Sequence, residues 1–192
     1  MYIAIDIGGT NTRVGASKDG RNFFAVETFK TPARFQDGIK AITNTVLRLT
    51  KAQSLKYKIA IAVPGSIDTP RKKIRHLPNL PGWSGKPISR ALTKQLHTKI
   101  LLINDADAAG IGEARQGAGK KYRRVLYLTI STGIGGARII DGAIDPQAQH
   151  FEPGHFTLIP RGRKCGCGRR GCFEAYGSGT GFYKTYGVRA ED

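Results

Sequence analysis

The sequence predicts an α/β protein built as two successive units, and three observations carry that prediction. Short runs rich in Ile and Val alternate with amphipathic helical stretches. A glycine turn between two strands occurs near residue 8 and again near residue 133, so the pattern starts a second time. The length of 192 residues suits one sizeable domain or two small ones, and 40% hydrophobic content suffices for their cores.

Alternating apolar residues mark strands at 2–7, 12–17 and 23–29, which form an antiparallel meander. Over 34–51, Phe35, Ile39, Ile42, Val46 and Leu49 recur every three or four positions and predict an amphipathic helix. A buried strand at 58–63 ends on Pro64-Gly65-Ser66. The stretch 68–86 is rich in Pro, Gly, Asn and basic residues and predicts an irregular excursion over the surface. A short helix at 88–97 and a strand at 100–103 deliver Asn104-Asp105 to a strand end, and a helix follows at 105–115. Strands at 123–130 and 136–140 flank Ser131-Thr132-Gly133-Ile134-Gly135, with a hairpin turn at Asp141-Gly142. The expected organisation is residues 1–105 as the first unit and 106–192 as the second. Only a short segment follows Glu174, so the second unit reads as unfinished.

Lys and Arg outnumber Asp and Glu by 31 to 14, a formal net charge of +17 that suits anionic partners such as nucleotides. The basic residues are scattered, with clusters at 71–73, 120–124 and 161–170. Scattered charge is the ordinary mark of a solvated surface, so a nucleic-acid partner is not expected. Asp6 interrupts the apolar N-terminal run, which does not fit a signal peptide, and no run reaches membrane-spanning length. Unpaired cysteines with no export signal predict the reducing cytoplasm.

The chemistry-bearing residues fall into three groups. Asp6-Ile-Gly8-Gly9-Thr10-Asn11 sets a carboxylate at a strand end beside a turn whose backbone N–H groups and Thr10 hydroxyl suit phosphate oxygens. Asp6 would repel phosphate directly and fits hydrated Mg²⁺ better. The second turn, around Thr132 and Gly133, has the same flanks, and neither is a dinucleotide fingerprint because a strand follows each. Asn104-Asp105 sits where α/β sheets present their chemistry; Asp105 reads either as a base accepting an alcohol proton or as the cap of the following helix. Finally, Cys165, Cys167 and Cys172 are all the cysteines the chain has, and with His155 they give a Cys3His set suited to tetrahedral zinc. Gly166, Gly168 and Gly171 let a short chain fold back around one ion.

These motifs, in this order, resemble the ROK family of sugar kinases and sugar-responsive repressors, in particular its bacterial glucokinase-like members. The matching runs are Asp6-Ile-Gly-Gly-Thr10, Val63-Pro-Gly-Ser-Ile-Asp68, Asn79-Leu-Pro-Gly-Trp83, Asn104-Asp105, Ser131-Thr-Gly-Ile-Gly-Gly136, Glu152-Pro-Gly-His155 and Cys165-Gly-Cys-Gly-Arg-Arg-Gly-Cys172-Phe-Glu174. The resemblance implies an actin-like, ribonuclease-H-like sugar kinase fold of two lobes, with sugar and ATP in the cleft between them. It implies Asp105 as the general base for a hexose hydroxyl, and sugar contacts from Gly65, Asn79, Asn104, Glu152, His155 and Glu174. Gly8, Gly9, Thr10, Thr132 and Gly133 would line the phosphates, Asp6 would lie near Mg²⁺, and His155, Cys165, Cys167 and Cys172 would hold structural Zn²⁺. A homodimer is expected of the full-length protein.

Two departures from the family pattern stand out. Pro153 replaces the usual Ile or Leu before Gly-His, and family kinases extend further, through the part that binds adenosine. The 192 residues are therefore expected to be a fragment, inactive alone. Two other classes compete: a sugar-binding regulator of the same family, although no DNA-reading helix precedes the turn at residue 6, and a basic zinc-knuckle module binding nucleic acid through Arg161, Arg163, Lys164, Arg169 and Arg170.

Overall fold

Alternation of Ile with small or polar residues makes the first strand, β1 (Tyr2–Ile7), and puts Ile3, Ile5 and Ile7 on one face, all nearly inaccessible. The computed structural model describes residues 1–51, 57–65, 67–68, 73–74, 77, 80–148 and 151–189, and the chain divides into two compact units, Met1–Asp105 and Ala106–Asp192.

In the first unit β2 (Asn11–Ser17) and β3 (Phe23–Lys30) complete an antiparallel meander with β1. Two parallel strands, β4 (Lys58–Val63) and β7 (Ile100–Asn104), extend it on the other side, giving the sheet order β3-β2-β1-β4-β7. Helices α1 (Phe35–Leu49) and α2 (Ile88–Leu96) supply the connections that parallel strands require. Their apolar stripes, Phe35, Ile39, Ile42 and Val46 on one and Ile88, Leu92 and Leu96 on the other, bury against Ile3, Ile5, Ile7, Val14, Ile59, Ile61 and Val63. At about 1.5–3 kcal/mol for each large side chain removed from water, this cluster is the main stabilising feature of the unit.

Between β4 and α2 the surface-excursion expectation is corrected. A two-residue pair, β5 (Ile67–Asp68) with β6 (Lys73–Ile74), and a 3-10 turn at Pro81–Trp83 interrupt it. Ile74, Leu77, Leu80 and Trp83, spaced three residues apart, are at most 4% exposed. The Pro, Gly and Lys between them mask an apolar spacing that joins the core. Trp83 stacks edge-on against Phe35 with ring centroids 5.3 Å apart, and its indole N–H donates to the Pro32 carbonyl at 2.9 Å. It fills the space over Gly38, where a Cβ would lie 2.0 Å from the indole ring. That close approach explains a glycine in the middle of α1, otherwise a cost of about 1 kcal/mol.

The second unit opens one residue into α3 (Asp105–Arg115), whose small buried face Ala106, Gly110 and Ala114 lies on the antiparallel pair β8 (Arg124–Ile130) and β9 (Ile134–Ile140). Gly110 is required by that closeness, since its Cβ would meet that of Ala137 at 2.8 Å. A further two-residue strand, β10 (Ala143–Ile144), pairs with β9 after a turn at Asp141 and Gly142, both at positive φ, the conformation a two-residue hairpin with the strand twist demands. Strand β9 begins at Ile134, two residues earlier than the sequence suggested, because Ile130 pairs with Ile134; the loop is therefore only Ser131, Thr132 and Gly133. Helices α4 (Glu174–Gly177) and α5 (Gly179–Tyr186) follow the cysteines, and Ser178, 1% exposed, caps α5 by accepting from the Gly181 N–H. Among the described residues no helix is long and apolar enough to cross a membrane.

Candidate functional site

At the first glycine turn Gly8 donates its N–H to the Asn11 carbonyl at 2.9 Å, closing the loop between β1 and β2. Thr31, just past β3, braces the turn from beneath: its N–H donates to the Thr10 carbonyl, its hydroxyl to the Gly8 carbonyl at 2.7 Å, and its Oγ1 lies 2.9 Å from that of Thr12. Sequence reasoning missed Thr31, because a lone threonine after a strand carries no signal until the strands are paired. It also missed Arg13. The antiparallel register places Arg13 opposite Asp6, and their side chains form an ion pair at 3.1 Å, both substantially exposed. The carboxylate proposed for Mg²⁺ thus has a cationic neighbour that the strand pairing supplies.

Asn104 and Gly65 come together because β4 and β7 are adjacent and parallel, with Val63 opposite Asn104. Gly65, at φ +78, turns its carbonyl to accept from the Asn104 amide at 3.1 Å. Asp105 follows at once, exposed, as the first residue of α3. This is the carboxyl end of neighbouring parallel strands, where open α/β sheets bind ligands. Asn79 lies outside the described residues.

In the second unit Glu152 precedes and His155 ends a 3-10 turn, Pro153–His155, in which the His155 N–H donates to the Glu152 carbonyl at 3.0 Å. The departure at Pro153 has a packing role: its ring lies against Gly136, and Gly154 comes so near β9 that a Cβ there would sit 2.3 Å from the Ile134 carbonyl oxygen. Glu152 and His155 share a cavity of about 630 Å³ with Arg138, Phe151, Thr157 and Arg169. Thr132 lines a second cavity of about 850 Å³ with Ser131, Thr180, Tyr183 and Arg189.

The knuckle brings its four residues together. One ligand atom from each of His155, Cys165, Cys167 and Cys172 lies within 4.8 Å of the other three. The Cys167 and Cys172 sulfurs are 3.7 Å apart, and Cys165 Sγ is 3.8 Å from His155 Nδ1. Donors about 2.3 Å and 2.0 Å from one tetrahedral ion would be about 3.6–3.8 Å apart, so the set fits zinc. Nδ1 faces the sulfurs, which leaves Nε2 as the outward nitrogen. Two of the three intervening glycines are conformationally required: Gly168 at φ +90 and Gly171 at φ +77, the latter with Ile159 O only 1.7 Å from where a Cβ would be. Gly166 is not, having neither a positive φ nor a close neighbour.

Electrostatics within the knuckle are asymmetric. Burial opposes ionisation of Cys167, but hydrogen bonds from the Arg169 backbone and side chain and from the other two thiols outweigh it and hold the Cys167 thiol at about 7. Burial, followed by its contacts with Cys167 and Cys165, pushes Cys172 up to about 11. Three thiolates this close ionise together only when a cation neutralises them.

The sequence matches the ROK family over residues 2–192. The chain belongs to the ROK family. Among ROK relatives it is 36% identical over 183 residues to a glucokinase of Thermotoga maritima, covering 93% of this chain and 57% of that one. Its structure is similar to a ROK hexokinase from Thermus thermophilus (TM-score 0.82, 31% identity, 98% of this chain and 65% of that one). It is also similar to a ROK glucokinase from Streptomyces griseus solved with glucose and AMPPNP (TM-score 0.78, 30% identity, 95% of this chain and 59% of that one). The fold class is accordingly the actin-like α/β fold of the ROK sugar kinases, and the chain spans less than two thirds of the length of these relatives.

Proposed function

We propose that this chain serves ATP-dependent phosphorylation of a hexose, glucose or a related aldose, with Asp105 as the general base. The observation that carries the reading is the exposed carboxylate of Asp105 at the carboxyl end of parallel strands, beside an Asn104 tethered to the Gly65 carbonyl, in a chain of the ROK family. Asp105 accepts the proton of the attacking sugar hydroxyl as the new phosphate ester forms. Asn104, held by Gly65, keeps the strand end in place beside that base. Gly65, Asn79, Asn104, Glu152, His155 and Glu174 contact sugar hydroxyls. With Nδ1 turned to the sulfurs, the His155 ring has Nε2 for that contact.

Phosphoryl transfer asks the protein mainly for positioning and charge neutralisation. Gly8, Gly9 and Thr10 in one turn, and Thr132 and Gly133 in the other, offer backbone N–H groups and hydroxyls to phosphate oxygens. Mg²⁺ near Asp6 would neutralise the donor phosphates, and Arg13 beside it adds a second positive charge. Zn²⁺ held by His155, Cys165, Cys167 and Cys172 would be structural, fixing the loop that carries His155.

A coupled assay of ATP-dependent glucose phosphorylation tests the reading. In the full-length protein Asp105→Asn is expected to lower kcat by about 10²–10⁴-fold while calorimetry shows glucose affinity nearly unchanged. Turnover close to wild type would refute the assignment of the base. The same assay on the 192 residues alone tests the expectation that they are inactive by themselves, which clear turnover would overturn.

A further inference from the structure

The segment after the last cysteine holds the second glycine turn. Glu174, two residues past Cys172, divides its carboxylate between two neighbours. Oε2 accepts the Ile134 N–H at 2.9 Å and lies 2.7 Å from where a Cβ on Gly133 would be. Oε1 accepts from the Cys165 thiol at 3.9 Å and lies 4.0 Å from His155 Nδ1, at the border of the metal set. Two further bonds fix the same turn, from the Gly179 N–H to the Ser131 carbonyl at 2.7 Å and from the Thr180 N–H to the Thr132 carbonyl at 3.3 Å. The turn is thus gripped by residues 174–180, whose start is anchored by a member of the metal set.

We propose that Glu174 is a positioning residue that couples metal occupancy of the Cys3His knuckle to the geometry of the turn at Ser131, Thr132 and Gly133. When an ion draws Cys165 and His155 together, Oε1 has a fixed electrostatic neighbour and Oε2 is held on Ile134. Without the ion, Oε1 keeps only its long contacts to Cys165 and His155, so the carboxylate grips the Ile134 N–H less firmly and the loop amides are less well ordered. The coupling reaches the phosphate side of the chemistry, whereas a purely local knuckle would act on His155 alone. The phosphate arm of the test rests on the function proposed above; the exchange arm does not.

Amide hydrogen exchange on the full-length protein, zinc-loaded and chelator-stripped, reads the coupling at Ile134. In wild type, stripping zinc is expected to speed Ile134 exchange at least tenfold, with Tyr127 and Ala137 in the paired strands unchanged. Glu174→Ala leaves all four ligands intact; it should still bind one Zn²⁺ per chain, and its Ile134 exchange should be fast and indifferent to zinc. Glu174→Gln retains an acceptor for Ile134 and should restore most of the protection of the loaded state. Zinc sensitivity persisting in Glu174→Ala would overturn the proposal, as would loss of protection throughout the paired strands of wild type rather than at the turn.

By reciprocity, an anion that orders the turn must tighten zinc. Tripolyphosphate should therefore slow zinc transfer to a chelator severalfold in wild type and not in Glu174→Ala. No effect of tripolyphosphate in wild type, with Ile134 still zinc-sensitive, would reject the turn as a phosphate site and leave the coupling standing. Slowing that is equal in both proteins would reject the coupling.

Discussion

Gly38 shows how much of this structure rests on single atoms. The residue lies inside α1, where glycine is normally a weakness, and the Trp83 ring occupies the space a methyl group would need. Gly38→Ala gains helix propensity and loses the indole's seat; overpacking costs typically about 1–3 kcal/mol and should win. A lowered thermal midpoint in calorimetry is the expected result, and an unchanged or raised midpoint would show that the ring yields. A similar close approach at Gly154 against β9 fixes the 3-10 turn that carries His155, and Pro153 fills the groove above Gly136.

At the scale of elements, Arg48 in the last turn of α1 binds Glu27 on β3 through two hydrogen bonds, clasping the helix end to the outer strand. The hydrogen bond from Arg48 is the main cause that holds the Glu27 carboxyl below its usual value; burial opposes it and the Arg48 charge adds to it. A depressed folded-state value means that the contribution is present above the ordinary glutamate range near 4.5 and fades as pH falls through the lower folded value. Thermal midpoints of Glu27→Gln and wild type should therefore differ slightly at pH 7 and converge as the pH falls through the lowered folded-state value; a difference that grows on acidification would reverse the sign.

Strong periodicity made β1, α1 and β4 legible in the sequence, since their apolar spacing is unbroken and each buries one face. The segment before Trp83 was not, because Ile74, Leu77, Leu80 and Trp83 are separated by residues that individually signal a loop. In the candidate site, the cysteines and both glycine turns were visible from residue type alone. Thr31, Arg13 and the double contact of Glu174 were not, since each depends on partners 7 to 40 residues away that only strand register and chain reversal bring near.

Across the whole molecule, apolar surface is unevenly covered. Strand β8 is the edge of its three-stranded sheet among the described residues, and Leu126, Leu128 and Ile130 project from it 59%, 44% and 60% exposed, while Val125 and Tyr127 on the other side pack on the core of the unit. An apolar row on an open edge favours association between chains. The 192-residue chain is expected to bind an apolar dye and scatter light at micromolar concentration. Leu126→Lys with Ile130→Lys should reduce both signals without lowering the thermal midpoint, and dye binding that stays at the wild-type level would place the sticky surface elsewhere.

Trp83 is the only tryptophan in the chain, and it is fully buried against Phe35 and Gly38 in the first unit. Its emission is therefore an intrinsic optical tag for one half of the molecule: a blue-shifted band that moves to the red only when that half opens. The second unit, which carries the knuckle and the turn held by Glu174, is silent in that channel. Metal stripping and heating can be followed in the two halves separately with no label attached, the first by indole emission and the second by far-ultraviolet signal that changes while the indole band stands still.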